Sequence, residues 1–455
     1  PAVLGMQREE VAAWLQLLQA SGVGGDTARR LLAAFGLPQQ VLAQSTASLR
    51  QVVSARQAAA LQACSPETEA LIEATWQWLQ QSTAGMQRRL LVLGSPDYPQ
   101  SLLNMADPPV LLYAMGQVER WLAQEQPCIA VVGSRNPTPQ GQSNAHQFCK
   151  GLAAAGWVVV SGMALGVDSA AHEGAVQAVA GDASTAKSKA ANAAKAAMAA
   201  NTPAAMATGI ATIAVVGTGL DRVYPKQNRD LAHRIAQHGV LLSEQPLGTP
   251  PLPHHFPQRN RIIAGLSHGV LVVEAALQSG SLITARLAIE QGREVFAIPG
   301  SIHAPQVRGC HELIKQGAKL VESMHDIEQE LEHVLPASRS RAGQVAAALS
   351  AEHFQAATAT ATSTFAALGA KDAQASRADV DATVNADENI ASGSVAQDDN
   401  QVLLQALGHD PVSLDLLLER TALDTAALHA ALLMLELEGV VGRLPGGLFQ
   451  RIGRA

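Results

Sequence analysis

Aromatic residues make up only 3% of this 455-residue chain, which argues against a tyrosine-rich β-sandwich and leaves little material for a surface of stacked rings. Cysteine is scarce as well. The four present, Cys64, Cys128, Cys149 and Cys310, have no CxxC or Cys/His spacing, so neither a zinc site nor a disulfide framework is expected, and a reducing cytosol is. No apolar run reaches the ~18–20 residues needed to cross a bilayer, and the first residues, with Glu9 and Glu10 soon after Met6, carry no signal-peptide pattern. A soluble cytoplasmic protein with no membrane partner is expected. An excess of basic charge is missing too: the formal net charge is -7, which excludes whole-surface electrostatic binding of nucleic acid and confines any such site to a local patch.

What is present is a 47% hydrophobic, Ala/Val/Leu-built composition with 37 glycines, as α/β proteins have, in a chain long enough for two or three folded units. Residues 1–82 show helix-period apolar positions (Trp14, Leu15, Leu18, then Leu31, Leu32, Phe35) broken at Gly22-Val23-Gly24-Gly25, and predict a small helical unit. Residues 83–124 read as a bridging segment with apolar runs at Leu91–Leu93 and Val110–Tyr113. Over 125–335, seven short β-rich runs (129–132, 158–160, 213–216, 240–242, 270–273, 295–298, 319–321) end in turn residues and are followed by helical stretches. That is the sequence form of a Rossmann-like, mostly parallel, doubly wound sheet. An Ala-rich tract at 181–208 reads as a surface insertion, and 336–398, rich in Ala, Ser, Thr, Gln and Asp, as a flexible linker. Residues 399–455 give three short helices and a hairpin across Pro445-Gly446-Gly447, a winged-helix pattern.

The candidate chemistry lies in the loops that follow the strands. Gly133-Ser134-Arg135, with Pro137, Thr138 and Pro139 next, offers a glycine for close approach of a phosphate, helix-start amides and a guanidinium. Ser161-Gly162, leading to Gly166-Val167-Asp168, leaves room for a backbone or sugar; Asp168 suits either a ribose hydroxyl or an N-cap, and His172 suits a packed helix face. Gly217-Thr218-Gly219 runs on through Tyr224 to Lys226 and Asn228, and Phe256 precedes Arg259-Asn260-Arg261. Ser279-Gly280-Ser281 with Thr284 resembles an anion nest. Residues 222–308 hold nine Lys/Arg against five Asp/Glu, reversing the sign of the whole chain, as phosphate binding requires. Because ligand loops gather at the carboxyl ends of parallel strands, these loops predict one long phosphate-lined groove.

In order and spacing, GSR at 133–135, SGMALGVDSAAH at 161–172, GTGLDRVYPKQN at 217–228, SEQPLG at 243–248, FPQRNRIIAGLS at 256–267, VVEAALQSGSLITARLA at 272–288 and FAIPG at 296–300 resemble the DprA (Smf) family. The Ala-rich tract departs from the usual pattern without touching a motif. The resemblance implies a non-enzymatic binder of single-stranded DNA that shields the strand and loads the RecA recombinase during natural transformation. It also implies a homodimer formed through the Rossmann-like domain and no cofactor or metal. The family's basic pocket maps onto Arg135 and Lys226, with Arg259 and Arg261 close by.

Three other functions fit less well. A nucleotide phosphoribohydrolase of the lysine-decarboxylase-like group carries PGGxGTxxE, whereas here the comparable stretch 279–284 meets no glutamate before Glu290. A nicotinamide-dependent dehydrogenase lacks its GxGxxG and acidic partner. A duplex-reading transcription factor needs basic or amide side chains on its recognition helix, yet 424–437 carries Asp424, His429 and Glu436 and no Lys or Arg. That helix suits a protein contact better. Gly22-Val23-Gly24 resembles a helix-hairpin-helix turn and equally an ordinary helical turn.

Overall fold

The computed structural model describes residues 6–180, 209–334 and 403–451, the last with short gaps at 405, 409–410, 422, 438–439 and 445–447. The Ala-rich insertion and the linker therefore lie outside the described residues, as does the tip of the C-terminal hairpin. Within the described residues the strands of the main sheet are β1 (Gln87–Val92), β2 (Leu111–Gly116), β3 (Cys128–Val132), β4 (Val158–Ser161), β5 (Thr212–Val216), β6 (Val240–Ser243), β7 (Gly269–Val272), β8 (Glu294–Ala297) and β9 (Lys319–Leu320). Their spatial order is β1-β2-β6-β5-β4-β3-β7-β8-β9. All pairs from β6 to β9 are parallel. These are the seven strands expected from the β-rich runs. The segment expected as a bridge instead completes the sheet: β1 and β2 pair antiparallel, and β2 pairs antiparallel with β6.

The strands are apolar on both faces because both are covered. Val132, Val160, Val215 and Val272 meet Ile262, Ile263, Leu282 and Leu313 from helices His255–Leu266, Ser281–Glu290 and Arg308–Lys315. On the other face Ile129, Val131, Val159 and Leu271 meet Ala145, Cys149, Leu152 and Ala171 from helices Pro139–Ala154 and Val167–Ala180. Each aliphatic side chain fully buried this way stabilises the fold by about 1.5–3 kcal/mol.

Residues 8–80 form six helices, Arg8–Gln19, Gly25–Phe35, Pro38–Leu42, Thr46–Leu49, Ala55–Gln62 and Pro66–Gln80. Ser45, Ser54 and Ser65 cap the last three through their side chains, and Pro38 and Pro66 occupy first-turn positions, where no amide is needed. Gly22 turns the chain at φ 79°, and its carbonyl accepts from Gln57 Nε2 at 2.7 Å. This helical unit shares its core with the sheet: Leu15, Leu31 and Trp78 are continuous with Tyr113, Val216 and Leu241. Trp78 sits edge-on to Tyr113 at 5.8 Å, and Thr75 Oγ1 lies 3.3 Å from the Tyr113 hydroxyl.

At the C-terminus, β10 (Val412–Ser413), β11 (Val441–Leu444) and β12 (Leu448–Arg451) form a second sheet of order β10-β12-β11 beside helices Leu414–Thr421 and Thr425–Leu437. Asp424 caps the second helix by accepting from the Ala427 amide at 2.7 Å. The arrangement is the expected winged helix, with one extra short strand, β10. Leu433 and Met434 are exposed on the helix in the recognition position.

Candidate nucleic-acid interface

Because β3 to β8 are parallel, the loops that follow them leave the sheet at one edge, and β3, flanked by β4 and β7, marks the point where the winding reverses. Open α/β sheets commonly bind ligands in the crevice there. In this chain the crevice is filled from within. Glu274, at the end of β7, accepts from the Thr138 amide at 2.9 Å and from its hydroxyl at 2.5 Å. Thr138 Oγ1 in turn accepts from the Gly141 amide at 3.0 Å, and any Cβ on Gly141 would run into the Glu274 carboxylate. Of the helix-start amides expected to receive a phosphate after Gly133-Ser134-Arg135, that of Thr138 is already matched by the Glu274 carboxylate and that of Gly141 by the Thr138 hydroxyl, and the carboxylate suits the positive end of the helix dipole. Glu274, more than a hundred residues away in sequence, gave no local sign of this role.

The outer rim of the same edge is different. Arg135 is exposed, has no carboxylate partner among the described residues, and holds its guanidinium carbon 5.9 Å from the Phe256 ring centroid. Phe256 lies 5.6 Å from Tyr224, which is 45% exposed, and Lys226, two residues on, is exposed as well. The Arg135 loop is rigidly backed. Its Ser134 carbonyl accepts from the Val167 amide at 3.1 Å, and Gly166, at φ 83°, approaches the Ser134 and Arg135 carbonyls too closely for any side chain. Gly133 packs on Val167, and Ser134 Oγ accepts from the Asn136 amide at 3.1 Å. Gly217 lies beneath His255 and Phe256, and Gly219 donates to the Thr249 carbonyl at 3.2 Å while packing on Pro246.

Several residues expected to touch phosphate are instead engaged internally. Arg259 is 8% exposed; its Nη1 donates to the Val215 carbonyl at 2.5 Å, its Nη2 lies 3.7 Å from Asp168, and it covers Gly162, where a Cβ would strike the guanidinium. Burial lowers the Arg259 pKa and raises that of Asp168, and the attraction between the two opposes both shifts. Arg261 donates to both Glu244 oxygens at 2.6 and 2.5 Å and lies 3.2 Å from Asp107. Asn228 is buried, its amide donating to the Met163 carbonyl at 2.9 Å and to Ser169 Oγ at 2.9 Å. Met163 has φ 58°, a left-handed conformation that costs about 1 kcal/mol for a side-chain-bearing residue, so Asn228 fixes a strained loop. Ser161 is buried and donates to the Val131 carbonyl at 2.7 Å.

The anion nest expected at 279–284 is closed in a similar way. The Ser279 and Ser281 hydroxyls lie 2.6 Å apart, the Ser281 amide donates to Ser279 Oγ, and Thr284 is buried, whereas Gly280 is exposed. Asn260 is half-buried on the helix between the two arginines. The structure therefore brings Arg135, Tyr224, Lys226 and Phe256 together at the rim and sets Arg259, Arg261 and Asn228 beneath it as the frame.

His172 has no exposure, as a packed helix-face residue should. Thr212 Oγ1 donates to the Val159 carbonyl at 2.6 Å, so it accepts from His172 Nδ1, 2.7 Å away, which fixes the neutral tautomer. Burial, helped by the charge of Arg259, holds the imidazole pKa down at about 3. An unfolded chain takes up that proton near pH 6.5. Stability is therefore expected to fall as pH drops below 6.5, by about 2 kcal/mol between pH 6.5 and 5 from this group alone. Chemical denaturation at pH 7 and pH 5 checks this: His172→Gln should lose that part of the slope, and an unchanged slope would rule out His172 as its source.

Among the described residues, no group of three or more His, Cys, Asp or Glu is placed to hold a metal, and no helix is long and apolar enough to cross a membrane.

Comparison with known proteins agrees with the motifs. The sequence profile described as DNA recombination-mediator protein A matches residues 89–196 and 197–332, and that of the DprA winged helix domain matches 388–447. Protein Smf of Escherichia coli (strain K12) is 38% identical over 333 residues, 71% of this chain and 76% of its own length. DNA processing protein DprA of Streptococcus pneumoniae is 43% identical over 235 residues, 52% of this chain and 71% of its own length. The X-ray structure of DNA processing protein A from Streptococcus pneumoniae is similar to this one with a TM-score of 0.55 at 33% identity, covering 72% of this chain and 99% of that chain. With its sheet, its loop motifs and its winged helix in the same order, the chain belongs to the DNA recombination-mediator protein A (DprA) family.

Proposed function

We propose that this protein binds single-stranded DNA along the loop edge of its sheet and acts as a recombination mediator without catalysing a reaction. One observation carries it: Arg135 stands exposed beside Phe256, Lys226 is exposed two residues from Tyr224, the ring that packs on Phe256, and the acidic groups Glu274, Asp168 and Glu244 are tied up. Glu274 caps a helix, Asp168 pairs with Arg259, and Glu244 pairs with Arg261. The same fact weighs against a phosphoribohydrolase, which needs a free carboxylate at this edge; Glu290 is at the far end of its helix from the loops. Two cations and two rings suit a flexible strand, whose bases can turn toward the rings while its phosphates meet the cations. Delivery of the strand to RecA, pairing of two copies through the sheet domain, a role in natural transformation and a cytoplasmic setting belong to the same proposal, and the family resemblance supports them.

The test is salt-titrated anisotropy with a labelled single strand and a duplex of equal length. Preference for the single strand is expected, with log K falling linearly against log salt at about 0.7 per phosphate neutralised. Equal or tighter binding of the duplex, or affinity indifferent to salt, would overturn the proposal.

A further inference from the structure

A groove of about 1290 Å³ lies between helix Pro66–Gln80 and helix Arg229–His238, and it opens onto Lys226. It exceeds the ~300–1,000 Å³ of ordinary small-molecule pockets, so its shape suits a stretch of polymer. We infer that this groove carries the continuation of a bound single strand away from the Lys226 rim, past Arg229 and His233; the inference rests on the single-strand proposal and extends its footprint.

Three observations support this path. First, the groove is continuous with the rim, because Lys226 belongs to both. Second, one wall is cationic and exposed. Arg229 and His233, four residues apart, share a helix face, and Arg229 has no ion-pair partner among the described residues. Of the acidic groups on the groove, Asp221 is engaged by Arg222 at 3.4 Å and by the Gly248 amide at 2.8 Å, which leaves Glu67 on the opposite helix. Third, the floor is apolar, with Met115, Leu220 and Leu241, and the facing helix lines the gap with Ala70, Leu71, Ala74 and Trp78 beside the polar Glu67 and Gln77. A cationic wall over an apolar floor fits phosphates outside and bases inside. From Arg229 to Ala236 the helix rises roughly 10 Å, enough for about three stacked nucleotides at ~3.4 Å each.

The experiment compares a short oligonucleotide of about six nucleotides, which the rim alone holds, with one of about twenty. Arg229→Ala should weaken the long strand about tenfold and shallow its salt slope by about 0.7, for one lost contact, while leaving the short strand unchanged. Ala74→Lys, which adds a cation on the opposite wall, should strengthen the long strand alone. If both variants bind the long strand as the wild type does, the groove is not the path, and the rim proposal survives. If the wild type binds neither strand, both proposals fall.

Discussion

Replacing Arg135 and Lys226 together with alanine is expected to lower affinity for a labelled single strand by at least about a hundredfold at low salt. A hydrogen bond to a charged group contributes about 1.5–3 kcal/mol, and here two such contacts are lost from one strand. The salt dependence should shallow at the same time, by about 0.7 for each phosphate no longer neutralised. Neither side chain is buried and neither holds an ion pair among the described residues, so the thermal unfolding of the variant should match the wild type. Anisotropy titrations at several salt concentrations, beside a melting curve, give both readouts. Wild-type affinity in the folded double variant would move the DNA site off this edge.

Arg259→Met is expected to do the opposite: to damage the fold first and DNA binding as a consequence. Arg259 is buried against Asp168 and the Val215 carbonyl, and removing one member of a buried pair leaves the other charge uncompensated, at a cost of about 3–5 kcal/mol. Adding Asp168→Asn should recover a large part of that loss, since a neutral pair needs no compensation. Denaturant unfolding of the two single variants and the double variant measures this coupling. An Arg259→Met protein as stable as wild type that no longer binds DNA would return Arg259 to the role of a direct phosphate contact.

That contrast between two arginines shows where sequence is informative and where it is not. The seven parallel strands were legible because each run of β-branched residues ends in a turn and leads into a helix, a local pattern. The gathering of the motif loops on one edge followed from the parallel arrangement alone. The pairing of β2 with β6, through which the β1–β2 hairpin joins the sheet, was not legible, because that antiparallel edge is defined by partners more than a hundred residues away in sequence. Exposure was also hidden. Arg135 and Arg259 both sit in glycine- or asparagine-bearing motifs, and nothing local distinguishes the one that faces solvent from the one that closes on Asp168. Arg261 is neutralised by Glu244 and by Asp107, 154 residues earlier. Asn228 reads as a polar loop residue until Met163 is seen in its left-handed conformation. The winged helix was readable from its Asp424 cap and apolar periodicity, while among its described residues the two-residue β10 escaped notice.

The carboxylate of Glu274, lodged at the start of helix Pro139–Ala154, has a consequence for life in a crowded cell. A sheet of this kind is ready-made to cradle the pyrophosphate of a free nucleotide at that spot. With a fixed negative charge lodged there, a free nucleotide's pyrophosphate is expected to be repelled from that spot rather than cradled. If the proposed strand binding holds, the expectation is that a row of phosphates reaching both Arg135 and Lys226 is favoured over a single nucleotide, so that polymer length is felt before any base.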